Sequence, residues 1–274
     1  MKLYLSVDME GITGLPDHTY VDSKFHNYER ARKIMTQEAN YVSQAAFENG
    51  CSDIVINDSH SKMNNLLIDE LHSDVTLISG DVKPFSMMQG LNDDYDGAMF
   101  IGYHARAGSF GVMSHSMVHA VRHFYINDIP LGELGMNAYV AGYYGVPVLL
   151  VAGDDQAIKE AEEIIPNVTT ACVKETVSRS AVKSMTPKKA GELLTEKTKQ
   201  ALANRNQVKP LIPPERPILK IEFCNYGQAE WAHLIPGTEI VEGTTIVQFQ
   251  AKDMIEAYRA MIAMTELALH TAFS

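Results

Sequence analysis

A chain of 274 residues is long enough to bury a large core and to divide into two lobes or domains. With 46% apolar and 21% charged residues its composition is that of a soluble globular protein, and a net charge of -11 argues against nucleic acid or an anionic membrane surface as a partner. The sequence has no apolar run long enough to span a membrane, and its opening M-K-L-Y-L-S-V-D is too short, and interrupted too early by Asp8, to be a signal peptide. Cys51, Cys172 and Cys224 are odd in number, far apart and without a C-x-x-C pattern, so buried apolar roles and a reducing, cytoplasmic location are expected.

Residues 3–7 form an apolar run of strand type that stops at Asp8, with Glu10 and Gly11 following. In extended backbone residues i and i+2 share a face, so Asp8 and Glu10 converge at the carboxyl end of the strand, where open α/β sheets build their sites. Two converging carboxylates repel unless a cation or a shared proton offsets them. A turn acid and an acid at a helix start are the alternative. Residues 13–27, with Gly, Pro, Asp and Ser, form a loop over this end. The spacing of Ala31, Ile34, Met35, Val42, Ala45 and Ala46 predicts an amphipathic helix over 28–49, stopped by Gly50. A buried strand over 53–57 completes a β-α-β unit, implying a parallel sheet with a right-handed crossover, and runs into Asp58 and His60.

Short helices are expected over 63–71 and 84–91, and strands over 75–79 and 97–102. The last of these stops at Tyr103-His104, and a glycine-containing loop over 105–114 leads to His115. A β-hairpin over 124–131 turns at Asn127-Asp128 and delivers Glu133. A helix over 136–144, a strand over 147–152, a helix over 155–165 with an aspartate cap and a strand over 168–173 follow. The pattern then changes. Thr186-Pro187 marks the start of a long charged helix over 184–204, and four prolines over 208–217 mark an extended segment. Runs over 218–223 and 244–250 alternate like strands with one solvated face, and a final amphipathic helix spans 253–272. The expected fold class is α/β. A mainly parallel, Rossmann-like sheet with flanking helices over 1–180 carries the metal-binding catalytic site. A smaller α+β two-layer domain covers 181–274, with interleaving of the two left open.

Asp8, Glu10, His60, His104 and Glu133 thus arrive from four separate segments, three of which follow predicted parallel strands. A mixed carboxylate and imidazole set suits Zn2+, with Mn2+ or Co2+ as alternatives. Five ligands exceed one four-coordinate zinc and suffice for two ions about 3.5–4 Å apart if Asp8 bridges them. Each histidine taken alone reads more readily as a surface or capping residue than as a ligand. In H-S-M-V-H-A-V-R-H, His115, His119 and His123 recur at i, i+4 and i+8, but Ser116 stands where the H-E-x-x-H pattern needs Glu. His115 follows the glycine loop and could act as general acid or base or stabilise an oxyanion. His119 and His123 read as packing or hydrogen-bonded residues. Asn57 and Asp58 are candidates to orient His60, and Asp58 equally to cap a following helix. There is no G-x-S-x-G, no Walker A and no G-x-G-x-x-G after the first strand. Trp231, the single tryptophan, reads equally as a site-rim or interface residue and as a core anchor.

The motifs S-V-D-M-E-G (6–11), N-D-S-H (57–60), G-Y-H-A-R (102–106), S-H-S (114–116) and G-E-L-G-M-N (132–137), with Y-G-Q-A-E-W (226–231), resemble those of the zinc-dependent D-aminopeptidase family. The founding member of that family is encoded with a bacterial dipeptide-transport operon. The resemblance runs over nearly the whole chain. It implies two zinc ions per subunit, with Asp8 bridging and Glu10, His60, His104 and Glu133 completing the shells, and His115 as catalytic nucleophile or base. It further implies release of the N-terminal residue from short D-amino-acid peptides such as D-Ala-D-Ala, in a ring-like homodecamer whose central channel holds the active sites. The alternatives are a dinuclear metallophosphoesterase and a non-catalytic peptide-binding protein linked to dipeptide transport. For the former only Lys62 and Arg106 lie near the motifs as phosphate clamps.

Overall fold

The structure, a computed structural model, describes residues 1–271. In chain order its elements are β1 (Lys2–Val7), α1 (Tyr28–Glu48), β2 (Asp53–Asp58), β3 (Val75–Ile78), β4 (Gly97–Tyr103), β5 (Val121–Ile126), β6 (Ile129–Leu131), α2 (Glu133–Tyr143), β7 (Val148–Asp154), α3 (Asp155–Ile164), β8 (Thr169–Ser178), β9 (Ala181–Ser184), α4 (Pro187–Ala203), β10 (Ile218–Phe223), α5 (Tyr226–Ala232), β11 (Thr238–Ile240), β12 (Ile246–Gln250) and α6 (Met254–Ala268). Every residue of β4 and β7, and all of β1 after Lys2, is buried. Burial on both faces is the mark of central strands in a parallel sheet covered by helices. These strands lie inside a seven-stranded sheet of order β3-β2-β1-β4-β7-β8-β9, parallel throughout except for the β8–β9 hairpin. The chain leaves β1 toward β2 on one side and returns to β4 on the other. The carboxyl ends of β1 and β4 therefore flank the crevice where the strand order reverses.

α1 buries the expected stripe of Ala31, Ile34, Met35, Val42, Ala45 and Ala46. α4 packs outside it, with Gly191 against the ring of Tyr41. The second sheet, β11-β12-β10-β5-β6, is antiparallel and is backed by α5 and α6. Its hairpin, β5–β6, comes from the middle of the chain. The two sheets thus interleave, and a division at residue 180 falls in the turn between β8 and β9, which are paired neighbours of one sheet. No helix among the described residues is long and apolar enough to cross a membrane.

Several elements depart from expectation for local reasons. Residues 63–71 form no helix: Ser61 and Met63 have positive φ, and the Asp58 carboxylate accepts from the backbone of Asn65 and Leu66. The expected helix over 84–91 shrinks to one 3-10 turn, Ser86–Met88. Here Ser6, Ser59 and Tyr4 hydroxyls donate to the Met87 carbonyl, and the Gln89 side chain accepts from Phe85 N. Side chains that claim backbone groups compete with helix formation. His115, His119 and His123 do not stack along a helix, since His123 lies on β5 and the other two on the loop before it. N-Y-G-Q-A-E-W forms α5, started by a capping box of Asn225 and Gln228. Trp231 on it is 40% exposed beside the His270 ring, which excludes the core-anchor reading. Of the three cysteines, all free, Cys51 is buried as expected but Cys172 is half-buried and Cys224 exposed. The final helix is observed from Met254 to Ala268, and the expected last residue, 272, lies outside the described residues.

The crevice depends on a close crossing of β1 and β4. Gly102 has φ +73°, and a Cβ there would lie 2.1 Å from the Asp8 carbonyl oxygen. Left-handed strain and overpacking together predict that Gly102→Ala destabilises the chain by about 2 kcal/mol or more. A urea midpoint equal to that of the unsubstituted chain would contradict this.

Candidate active site

β1 keeps register with β4 for one residue past its end, through Asp8 N donating to Ile101 O at 2.8 Å. The chain then turns, and Gly11 N donates to Gly102 O at 2.7 Å. This turn aims both acids at one point. Asp8 Oδ1 lies 3.4 Å from His60 Nδ1 and Oδ2 lies 3.5 Å from His104 Nε2. Glu10 Oε2 is 2.9 Å from His60 Nδ1, and its Oε1 is 3.8 Å from His115 Nε2. Glu133, the first residue of α2, places Oε2 3.5 Å from His104 Nε2 while Oε1 accepts from Met117 N at 2.6 Å. All six side chains named from the sequence therefore meet in one cluster. All but His115, which is half-buried, are buried.

Their supports are equally local. Asp58 is fully buried and folds residues 59–66 back, accepting from Asn65 N, Asn65 Nδ2 and Leu66 N at 2.5, 2.7 and 2.7 Å, which directs His60 toward Asp8. Asp154 caps α3 and also accepts from Ala105 N at 3.0 Å, which fixes the chain just after His104. Each histidine ties one ring nitrogen to a carbonyl. His60 Nε2 contacts Val21 O at 2.7 Å, His104 Nδ1 contacts Ala105 O at 2.9 Å, and His115 Nδ1 contacts Met113 O at 2.9 Å. A carbonyl only accepts, so that nitrogen carries the hydrogen and the other presents its lone pair to the cluster when the ring is neutral. The result is lone pairs facing lone pairs. Asp8 Oδ2, Glu10 Oε2 and His104 Nε2 are buried without a hydrogen-bond partner. Buried acceptors of this kind cost free energy unless a cation or a proton lies between them.

The donor set fits a divalent transition metal. Asp8, Glu10 and His104 offer ligand atoms within 4.8 Å of one another, and so do His104, His115 and Glu133. The second group brings His115 among the donors, where the sequence suggested a catalytic role alone. His104 and His115 stack with ring centroids 4.4 Å apart and planes 3° from parallel, and exposed His119 sits beyond His115 at 5.2 Å. Two further charged residues lie under the turn and escaped the sequence reading, Glu38 of α1 and Lys174 of β8. Glu38 interrupts the apolar stripe of α1, a detectable signal because a charge on a buried helix face needs a partner.

Titration follows the same geometry. Burial and then the Glu10 charge push Asp8 up to about 7. Burial works against ionisation of Glu10 and Glu133 too, but imidazoles, His60 for Glu10 and His104 for Glu133, hold both below the usual carboxylate range. Burial opposes charge on His60 and His104, yet Glu10 and Glu133 respectively raise them well above the ordinary value. His115 is lowered, by burial and by His104. In metal-free protein the folded state keeps a proton on Asp8 up to about pH 7, whereas an unfolded aspartate releases it near 3.8. The folded state binds more protons in that window, so this residue's contribution to stability falls as pH rises through it. Asp8→Asn should therefore stabilise chelator-treated protein at pH 8 and do so less at pH 5. A urea-denaturation gain as large at pH 5 would contradict the assignment.

Residues 1–263 match the family Peptidase_M55, described as D-aminopeptidase. The chain is 70% identical over 273 residues to a D-aminopeptidase of Bacillus subtilis (strain 168), with the whole of both chains covered. Its structure is similar, at a TM-score of 0.99 and 69% identity over the whole of both chains, to that of the "Zn-dependent D-aminopeptidase DppA from Bacillus subtilis, a self-compartmentalizing protease". The family resemblance and the α/β fold class expected from the sequence are both borne out. On a match that spans almost its entire length, the chain belongs to the D-aminopeptidase family and is a hydrolase.

Proposed function

We propose that this chain is a dinuclear zinc aminopeptidase that releases the N-terminal D-amino acid from short peptides such as D-Ala-D-Ala. The observation that carries the reading is the set of unpartnered buried acceptors at the meeting point of Asp8, Glu10, His60, His104 and Glu133. Asp8 turns one oxygen to His60 and the other to His104, so it would help to hold both ions. Glu10 and His60 would hold one ion with it, and His104 and Glu133 the other. The zinc dependence of the 69% identical relative supports the choice of metal, with Mn2+ or Co2+ as alternatives. When bound, zinc supplies Lewis-acid polarisation of the scissile carbonyl and lowers the pKa of a water molecule toward ~7.

The chain's own residues supply the rest. His115, anchored through Nδ1 to the Met113 carbonyl, directs Nε2 into the cluster. Its lowered pKa keeps it neutral near pH 7, so Nε2 is free either to take the proton of the attacking water and return it to the leaving amine, or to attack the carbonyl itself, in which case water later hydrolyses the acyl-imidazole. Burial of the walls strengthens electrostatic interactions with a bound peptide by lowering the local dielectric. The self-compartmentalizing behaviour of the relative supports a homo-oligomer, in this reading a homodecamer around a channel. Three free cysteines support a reducing, cytoplasmic location.

Three measurements test this function. Zinc-loaded protein should release D-Ala from D-Ala-D-Ala, leave L-Ala-L-Ala intact and lose activity to a chelator. His115→Ala should retain zinc and lower kcat roughly 100- to 10,000-fold. Full turnover by metal-free protein, or turnover of a phosphodiester without that of the peptide, would refute the reading, and unchanged kcat would remove His115 from the chemistry. In sedimentation the protein should run at about ten times the 30.4 kDa chain mass, and a monomer would refute the assembly.

A further inference from the structure

Lys174 is a fully buried lysine, 1% exposed. Among the described residues no carboxylate lies within ion-pair distance of it. Its ammonium instead donates to three backbone carbonyls, of Glu10, of Ile12 at 2.9 Å and of Leu15 at 2.8 Å. An ammonium has three hydrogens, and all three go to one six-residue turn. That turn is the one that carries Glu10 away from β1. Its opposite edge is tied by Thr13 N, which donates to Glu38 Oε1 at 2.9 Å. β8, which bears Lys174, is three places from β1 in the sheet, and α1, which bears Glu38, packs on a face of that sheet, so the turn is clamped by elements remote from it in sequence. Burying an ammonium is unfavourable unless every hydrogen is bonded, and a hydrocarbon side chain would fill the same space without that cost. What a hydrocarbon would not do is fix the directions of three carbonyls of the turn, and with them the backbone from which the Glu10 side chain projects.

We infer that Lys174 is a positioning residue of the active site: it locks the 10–15 turn so that the Glu10 carboxylate faces His60 and His115. Glu38 assists as the buried counter-charge on the other side of the same turn. This rests on Glu10 being a zinc ligand, as proposed above. Hydrogen-bonded supports of metal ligands typically change metal affinity 10- to 100-fold when removed.

The test is a zinc-competition titration with a chromophoric chelator, together with steady-state kinetics on D-Ala-D-Ala, using the full chain. Lys174→Met should weaken one of the two zinc ions by roughly 10- to 100-fold and lower kcat more than it changes KM. Lys174→Arg, which keeps a cationic donor, should recover part of both. Glu38→Met/Lys174→Met removes both buried charges, leaves no uncompensated ion to oppose folding, and should show the same loss of zinc affinity even if Lys174→Met alone does not fold. Glu10→Gln is the control. If it weakens zinc while folded Lys174 variants bind zinc as the unsubstituted chain does, Lys174 is structural only and the inference fails, whatever the change in Tm. If Glu10→Gln also leaves zinc binding intact, the ligand assignment of Glu10 is what has failed.

Discussion

Three carboxylates and three imidazoles crowd one buried point at the ends of β1 and β4, and that crowding demands positive charge. Two like charges about 4 Å apart repel by roughly 4 kcal/mol at an effective dielectric near 20. The protein supplies no side-chain cation to relieve this. Among the described residues Asp8, Glu10 and Glu133 have only histidines as ion-pair partners. The two buried lysines nearby are engaged elsewhere. Lys174 is spent on carbonyls, and Lys83 donates to Asn57 Oδ1 at 2.7 Å and to the Asp58 carbonyl at 2.5 Å. What remains is protons on the histidines and on Asp8, or a metal ion. A site that binds protons in the absence of metal is one where metal binding must displace them, which couples affinity to pH.

The scaffold is built so that these side chains cannot relax away from each other. Glycines at 11 and 102 let the two strand ends cross at hydrogen-bond distance, a separation that any Cβ would prevent. Below the cluster a buried polar chain links four elements of the fold and the loop after β2. Ser59 Oγ meets Ser6 Oγ at 2.8 Å, Ser6 Oγ meets Tyr103 Oη at 2.7 Å, Asn137 Nδ2 donates to Tyr103 Oη at 2.8 Å, and Tyr258 Oη donates to Asn137 Oδ1 at 2.7 Å. Networks of this type specify one arrangement because each member left unpaired would cost free energy in a low dielectric. Glu133 gains a further support from its place at the amino end of α2, where the helix favours negative charge.

The cluster was legible in the sequence because its rules are short-range. Short continuous apolar runs identify the strands, parallel topology gathers their carboxyl ends, and Asp8, His60 and His104 each follow within two residues of such an end. The elements that were not legible are those whose backbone answers to distant side chains. Residues 63–71 carry a helical apolar pattern, but the Asp58 carboxylate captures their amides. Residues 84–91 yield their carbonyls to hydroxyls from β1. β9 and β11 are three or four residues long, too short for a periodic signal. α5 was concealed by its Gly and aromatic content and is revealed by its capping box. Lys174 is the sharpest case, since nothing near it in sequence says that its three acceptors lie some 160 residues upstream.

The interleaving of the sheets gives the second sheet a part in the site. Glu133 follows directly on the β5–β6 hairpin, and β5 is held on its other edge by β10, from the far end of the chain. Tyr258 of α6 reaches the polar chain under the cluster from the same late segment. The placement of Glu133 is therefore a property of residues beyond 218 as much as of the parallel sheet, even though every ligand candidate lies before residue 134. A chain that ended after β8 would retain all six cluster side chains yet lose the strand that pairs with β5 and the helix that braces Asn137. The chemistry is local to two strand ends, but the geometry it needs is set by nearly the whole length of the protein.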